Sequence, residues 1–267
     1  MTQIGTAATH QRCELATGAA VTLSWSAISD TGHRREANED SFVAVSPVFA
    51  VADGMGGHRA GDLASAAVVT RLAEHGGASV LGIGEVDHAL QLAVEDMGRN
   101  LGITDSGSGT TVTGVGLAEV NGVPSWLVFN IGDSRVYLLH GGVLEQLTVD
   151  HSVVQELVDA GEITHDEAET HPHGNVITRA VGFHELPIPD YRVVAIEPGM
   201  RVLVCSDGLT KELTGHGIRH YLASNSTAAA AADELVAAAL GNGGRDNVTV
   251  IVLDVLEVEN GEPAPAV

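Results

Sequence analysis

Four aspartates stand where an apolar run of the chain meets a turn. Asp53, Asp133, Asp207 and Asp246 lie in VFAVADGMGG, WLVFNIGDSR, RVLVCSDG and GGRDNVTVIVL. A carboxylate at a strand end lies on the rim of its sheet, and rims that meet bring anions too close to stay ionised without compensation. One Asp-Gly pair indicates only a hairpin turn. Four such junctions favour a site for a divalent cation.

The residue types narrow the choice of ion. No Cys pair or close His pair accompanies the aspartates, and oxygen ligands suit Mg, Mn or Ca better than zinc. The spacing of His165, His171 and His173 fits no standard zinc pattern. We therefore expect an oxygen-ligated ion at the aspartates and no zinc site at the histidines.

Charge and composition exclude several classes of ligand. The chain has 13 Lys and Arg against 35 Asp and Glu, a net charge of −22, which repels nucleic acid and anionic lipid. Only 3% of its residues are aromatic, too few for a base-stacking surface. A phosphate-bearing ligand would need local positive charge, such as a metal pair and one Arg.

The sequence also predicts the compartment. Two cysteines, Cys13 and Cys205, cannot form a disulfide framework. The first residues lack the pattern of a secretory signal, and no apolar run approaches the roughly 20 residues of a membrane span. We expect a soluble, cytoplasmic monomer with no membrane partner.

The ordered part of the chain is expected to be one domain. Residues 1–20 are small and polar, and residues 258–267 are Pro-rich and acidic, so both ends are predicted to be flexible. No linker or repeat interrupts residues 21–257. A single domain over that range is the simplest organisation.

Hydrophobic patterning predicts an α+β fold. Turn residues bound most of the Val-, Ile- and Leu-rich runs, which are predicted strands: 21–30, 41–52, 111–119, 125–131, 135–140, 191–196, 201–205 and 247–257. Amphipathic periodicity and capping-box spacing predict helices at 61–75, 85–101, 152–160, 164–170 and 226–240. Asn121-Gly122 marks an antiparallel hairpin. We expect a central sandwich of two antiparallel sheets flanked by helices on both outer faces.

Charged residues precede the first aspartate and glycines follow it. In DTGHRREANEDSF, Arg35 and Glu39 share one face of an extended strand, whereas Asp40 points the other way unless a bulge intervenes. After Asp53, the glycine cluster lets the backbone approach an ion, so the carbonyl of Gly54 can act as a ligand.

Other phosphate-binding and nucleophile schemes do not fit. The glycine cluster lacks the Lys-Ser/Thr ending of a Walker loop, and Arg59 replaces the last Gly of a dinucleotide fingerprint. No G-x-S-x-G elbow occurs, and the residues around Cys205 lack the His and Arg of a cysteine phosphatase. A water molecule activated by a bound metal ion remains as the candidate nucleophile.

Five motifs in order, REANED, ADGMGG, GDSR, CSDG and GGRDNVTV, resemble those of the metal-dependent serine/threonine protein phosphatases, the type-2C or PPM family. HPHGNVITRAVG suggests the bacterial form. The resemblance covers residues 22–256. It implies a β-sandwich with helices outside and a centre of two Mn2+ or Mg2+ ions, with a third, weaker ion.

The resemblance also implies the metal ligands. Asp53 would bridge both ions, and the Gly54 carbonyl would bind one of them. Asp207 and Asp246 would hold the other ion, and Asp133 would share the third ion with Asp207.

Further roles follow from the same resemblance. Glu39 and Asp40 would act mainly through metal-bound waters, and Arg35 would bind the phosphate. Many eukaryotic relatives carry a His as general acid where this chain has Met55, so a metal-bound water or His58 would protonate the leaving group. Asn175, in a flap beside the site, is a further candidate contact of the third ion.

The implied reaction is hydrolysis of phosphoserine and phosphothreonine in proteins by direct attack of water, without a phosphoenzyme. The substrates would be proteins phosphorylated by a Ser/Thr kinase. One alternative is a catalytically inactive phosphoprotein-binding module of the same fold. Another is a metal-dependent phosphodiesterase or nuclease, against which the charge and the scarcity of aromatics argue.

Overall fold

Two β-sheets pack face to face at the centre of the protein. The computed structural model describes residues 1–56, 60–101, 109–164, 167–168, 171–183 and 186–259. The first sheet has the order β1 (Gln3–Ile4), β4 (Asp40–Val45), β5 (Val48–Met55), β7 (Val112–Val120), β8 (Val123–Ile131) and β11 (Asp190–Ala195), with β6 (Gly109–Thr110) beside β5. The second has the order β10 (Val143–Gln146), β9 (Arg135–His140), β12 (Arg201–Cys205), β13 (Val248–Glu259), β3 (Ala20–Asp30) and β2 (Ala7–Glu14). Every neighbouring pair is antiparallel except β1 and β4.

Helices cover the outer face of each sheet. The first sheet packs against α1 (Ala60–Ala73) and α2 (Ile83–Leu101). The second packs against α4 (Asp207–Thr210), α5 (Gly215–Ser224) and α6 (Ala228–Asn242). A further helix, α3 (Val153–Asp159), follows β10 and precedes β11 along the chain. This layering confirms the predicted αββα sandwich.

Aromatic side chains fill the middle of the core between the sheets. The rings of Trp25 and Phe49 meet edge to face with centroids 5.0 Å apart, and Trp126 meets Phe49 at 6.5 Å. All three are buried, and the indole of Trp25 donates to the Ala44 carbonyl at 3.1 Å. The few aromatic residues of this chain therefore contribute to packing between the sheets.

The hairpin turn at Asn121-Gly122 and the helix caps at Ser152 and Thr164 form as the sequence predicts. Asn121 and Gly122 both have positive φ, and Val120 pairs directly with Val123, giving a two-residue hairpin. Ser152 caps α3 by accepting from the Gln155 amide. Thr164 and Glu167 form the reciprocal bonds of a capping box. Most of the helix predicted at 164–170 lies outside the described residues.

The N-terminal segment differs from expectation. Residues 1–20, predicted to be flexible, form β1 and β2, because each strand hydrogen-bonds to a sheet edge. Cys13 and Leu15 are buried in the core between the sheets. Most side chains of β2 are exposed, so the strand lacks the alternating pattern that would reveal it in the sequence.

Other boundaries also shift. The predicted strand 41–52 is two strands joined at a Ser46-Pro47 turn. β13 continues to Glu259, past the predicted limit at 257, and residues 260–267 lie outside the described residues. The single domain over 21–257 stays a prediction. Within the described residues, no helix is both long and apolar enough to cross a membrane.

Candidate metal centre

Five carboxylates converge at one end of the sandwich. Asp40 opens β4 and pairs across the sheet with Asp53 of β5. Asp133 lies in the bend between β8 and β9, Asp207 opens α4, and Asp246 precedes β13. Burial, followed by the charges of the other four, raises the pKa of Asp53 well above its ordinary value. The predicted gathering of strand-end aspartates is therefore present.

Asp40 is the most deeply buried of these acids. It has no exposed surface, and one of its oxygens, Oδ2, accepts hydrogen bonds from Ser206 Oγ at 2.9 Å and Thr249 Oγ1 at 2.6 Å. Burial raises its pKa to about 7, although the two hydroxyl donors favour the charged form. The carboxylate is thus fixed in place and costly to ionise.

Three acid oxygens at this end of the sandwich are buried and have no hydrogen-bond partner in the part of the chain that the structure describes. They are Oδ1 of Asp40, Oδ1 of Asp207 and Oε1 of Glu39. Such groups are rare in folded proteins and call for an explanation. A hard cation, or water molecules held by one, would satisfy them, so the donor set fits Mn2+ or Mg2+.

The backbone around Gly54 is tightly packed. A Cβ at Gly54 would lie 2.2 Å from the Gly61 carbonyl oxygen and 2.7 Å from that of Glu39. The amide of Gly54 donates to Glu39 at 3.3 Å, and Thr111 donates to the Asp53 carbonyl at 2.9 Å. Only glycine allows this approach of β5 to the start of α1.

Arg35 and Lys211 lie among the acids. Arg35 Nε is 2.7 Å from Asp246 Oδ1, and its second donor reaches Oδ2 at 2.9 Å. Lys211 Nζ lies 2.5 Å from Asp207 Oδ2 and 3.1 Å from Asp246 Oδ2. Burial opposes ionisation of Asp246, but Arg35 and Lys211 outweigh it and lower its pKa.

The acids are therefore gathered but not arranged around a common point. Within the described residues, no three acidic, His or Cys side chains are placed to hold one ion together. Asp207 and Asp246 instead direct oxygens toward Lys211 and Arg35. These carboxylates would need to exchange their cationic partners before ligating an ion.

Asp133 is surrounded by other acids. Burial, followed by the charges of Asp207 and Asp150, raises its pKa to about 7. The neighbouring Arg135 makes a bidentate pair with Asp150, with contacts of 2.6–3.0 Å. Because its guanidinium donors are used by Asp150, Arg135 is not available to bind a phosphate.

The bend before Asp133 is fixed by His151. The Gly132 amide donates to His151 Nδ1 at 3.1 Å, and the His151 amide donates back to the Gly132 carbonyl at 2.9 Å. His151 Nε2 lies 3.1 Å from an oxygen of Asp190, at the start of β11. His151 is not among the residues that the sequence pointed to. It lies in the Asp-His-Ser sequence 150–152, directly before α3.

Asn247 was also missed, although it directly follows Asp246 in the GGRDNVTV motif. Its Oδ1 accepts from the Glu39 amide at 2.8 Å. Its Nδ2 donates to the carbonyls of Thr31 at 2.9 Å and Ala37 at 3.0 Å. Asn247 thus fixes the loop 31–39, which carries Arg35, to the start of β13.

The remaining sequence candidates are placed differently. Arg35 and Glu39 lie in the loop 31–39, and β4 begins only at Asp40. Contrary to the prediction from the sequence, the two residues therefore do not share one face of a strand. Met55 ends β5 and is partly buried. Asn175 is exposed and ends the turn at 172–175. His58 lies outside the described residues.

Known proteins resemble this chain over most of its length. Residues 31–242 match the family model of protein phosphatase 2C. Serine/threonine protein phosphatase PstP of Mycobacterium tuberculosis is 39% identical over 91% of this chain and 47% of its own length. The chain thus spans about half the length of this relative. Serine/threonine phosphatase stp of Listeria monocytogenes is 34% identical over 88% of this chain and 97% of its own length.

Solved structures have the same architecture. The M. tuberculosis PstP crystal structure is 38% identical, with a TM-score of 0.81 over 88% of this chain and 99% of that one. A PstP catalytic domain in complex with two manganese ions is 38% identical, with a TM-score of 0.79 and the same coverage. From the ordered motifs, the layered sandwich and these likenesses, it follows that the chain belongs to the protein phosphatase 2C family.

Proposed function

We propose that this protein hydrolyses phosphoserine and phosphothreonine in other proteins with the help of two Mn2+ or Mg2+ ions. The observation that carries the proposal is the convergence of Asp40, Asp53, Asp133, Asp207 and Asp246 at one end of the sandwich. Repulsion among these acids is relieved by divalent cations. The phosphatase names of the relatives and the two manganese ions of a structural neighbour support the same activity.

The ligand roles are assigned by motif and position. Asp53 would bridge the two ions, the Gly54 carbonyl would join it on one of them, and Asp207 and Asp246 would hold the other. Asp133 would bind a third ion together with Asp207. The crowding of these carboxylates supports the assignment.

Glu39 and Asp40 would contact the ions through water. Each has an oxygen that is buried and has no hydrogen-bond partner among the described residues. Ser206 and Thr249 hold the other oxygen of Asp40, which fixes the orientation of the free one.

The chain's residues would bind and orient the phosphate. Arg35 presents a planar pair of N–H donors that matches two phosphoryl oxygens as well as it matches Asp246. Its side chain is 52% exposed, so substrate can reach it. When bound, the metal ions supply Lewis acidity, which activates water and neutralises charge on the phosphoryl group.

Protonation of the leaving group is a separate question. Met55 cannot donate a proton, so His58, on the same glycine segment, is one proposed donor and water is the other. Asn175 is proposed as a contact of the third ion from the flap segment. Its exposed side chain is accessible to a ligand.

The substrates are proposed to be products of a Ser/Thr kinase. The protein is further proposed to act as a cytoplasmic monomer without nucleic-acid or membrane partners. The charge of −22 supports the exclusion of nucleic acid and anionic lipid. Free, buried Cys13 and Cys205 are consistent with a reducing compartment. Light scattering after size-exclusion chromatography measures the oligomeric state.

Phosphopeptide hydrolysis tests the proposal. Phosphate release from phosphothreonine and phosphoserine peptides should require Mn2+ and stop with EDTA. Asp207→Ala should abolish it, whereas Asp233→Ala, an exposed acid on α6, should leave it unchanged. Activity that survives chelation contradicts the mechanism. Peptide binding without turnover supports the inactive module, and turnover of nucleic acid alone supports a nuclease.

A further inference from the structure

Lys211 is the only lysine in the chain. It caps the C-terminal end of α4, four residues after Asp207. Its Nζ is 2.5 Å from Asp207 Oδ2 and 3.1 Å from Asp246 Oδ2. The single ammonium group on a lysine side chain thus stands between two of the proposed metal ligands.

Lys211 and Arg35 contact most of the carboxylate oxygens that Asp207 and Asp246 could offer to an ion. Lys211 contacts one oxygen of Asp207 and one of Asp246. Arg35 contacts both oxygens of Asp246. The remaining oxygen of Asp207 is buried and meets no hydrogen-bond partner among the residues described. An ion that used Asp207 and Asp246 together would meet Lys211 in the same space.

The two cations differ in how they are held. Arg35 binds through a rigid, planar fork, whereas Lys211 is a compact charge on a flexible four-carbon stem. The Lys211 side chain is still 30% exposed, so rotation about its stem can carry the ammonium toward solvent without moving the backbone. Lys211 is therefore the cation that can leave.

We propose that Lys211 is an internal competitor of the metal ions. It holds Asp207 and Asp246 together in the metal-free protein and withdraws when a divalent ion takes those carboxylates. This inference rests on the proposed function, because it takes the two aspartates as ion ligands. Its consequence is that Lys211 sets the ion concentration at which the site fills.

The size of the effect follows from competition. The apparent affinity for Mn2+ is the intrinsic affinity multiplied by the fraction of molecules in which Asp207 and Asp246 are free of Lys211. The two charge-assisted contacts of the partly buried Lys211 ammonium, with Asp207 and Asp246, are strong enough to lower the apparent Mn2+ affinity by about tenfold. Removal of the ammonium should strengthen ion binding by the same factor.

Calorimetric titration of the metal-free full chain with Mn2+ measures this effect. Lys211→Met, which keeps the length but not the charge, should bind Mn2+ about tenfold more tightly than the parent. Lys211→Arg, which keeps the charge and adds a second donor, should bind Mn2+ no more tightly than the parent. Arg192→Met removes an equal charge from an exposed pair with Glu145 and should also remain close. Unchanged or weaker binding by Lys211→Met overturns the inference.

A second measurement uses the unaltered protein. Because no other lysine is present, reductive methylation modifies one lysine side chain, which mass spectrometry of its peptide quantifies. Free N-acetyl-lysine in the same solution serves as the internal reference. The relative rate at Lys211 should rise several-fold when Mn2+ saturates the protein. An unchanged or slower rate contradicts withdrawal of the ammonium.

The outcomes separate this inference from the proposed activity. Phosphopeptide turnover by the parent, with equal Mn2+ affinity in the parent and Lys211→Met, overturns the role of Lys211 alone. Tighter Mn2+ binding by Lys211→Met, in a protein whose parent hydrolyses no phosphopeptide, supports the role of Lys211 and counts against the proposed function.

Discussion

Asp40 and Asp53 stand directly opposite each other on the antiparallel strands β4 and β5. Like charges directly opposed in a sheet are destabilising. Among the residues that the structure describes, no Arg or Lys forms an ion pair with either acid, the cations of the site lying against Asp207 and Asp246. Burial raises the pKa of both carboxyl groups. The pair therefore concentrates negative charge where a cation would relieve it.

The first prediction concerns the stability of the metal-free protein. Asp40 has a folded-state pKa of about 7 against an ordinary value of 3.8, so between these limits the folded state binds more protons than the unfolded state. The free energy of unfolding should then fall as pH rises from about 4 to 7. Thermal unfolding in EDTA should show a lower Tm at pH 7 than at pH 5, with a shallower fall in Asp40→Asn. Equal slopes in the two proteins would refute this assignment.

The second prediction separates stability from activity at Asp53. Asp53→Asn removes a crowded charge, so it should raise the Tm of the metal-free protein at pH 8. The same change removes the proposed bridging ligand and should lower kcat by more than about a hundredfold. Unfolding scans and phosphopeptide kinetics measure the two effects. A variant that loses stability and activity together would indicate a structural role instead.

The third prediction concerns the close approach at Gly54. Gly54→Ala would push a methyl group to 2.2 Å from a backbone oxygen and should destabilise the fold by about 2–3 kcal/mol. Gly98→Ala in α2 meets no atom within 4 Å and should stabilise it by about 0.5–1 kcal/mol. Urea unfolding measures both. Equal effects would contradict the described packing.

The fourth prediction concerns Asn247, which fixes the loop that carries Arg35. Asn247→Ala removes its contacts to Thr31, Ala37 and Glu39 and should cost about 2–3 kcal/mol of stability. Because Arg35 would be less well positioned, kcat/KM should fall by about tenfold or more. Asn242→Ala, which removes one exposed hydrogen bond to Glu212, is the control. Steady-state kinetics that do not distinguish the two variants would exclude a positioning role.

The layered architecture and the acidic cluster could be predicted because both depend on patterns of neighbouring residues in the sequence. Apolar runs mark the buried strands, and the aspartates that end them meet because strand ends share a sheet rim. Cap and hairpin signals at Ser152 and Asn121-Gly122 are similarly local. These features need no knowledge of distant partners.

Features that depend on distant partners were missed. β2 gains order from the edge of β3 and not from its own pattern. Asn247 acts through carbonyls more than 200 residues away in the chain. Lys211 has the helical spacing from Asp207, but only the fold brings Asp246 to its other side. Such contacts require the tertiary structure.

A crystal grown with Mn2+ tests the central claim most directly, through anomalous scattering at the manganese edge. We expect two strong peaks at the end of the sandwich, both in contact with Asp53, with Asp207 and Asp246 on one of them and Lys211 turned away. Manganese bound elsewhere, or no peak in contact with Asp53, would contradict the account.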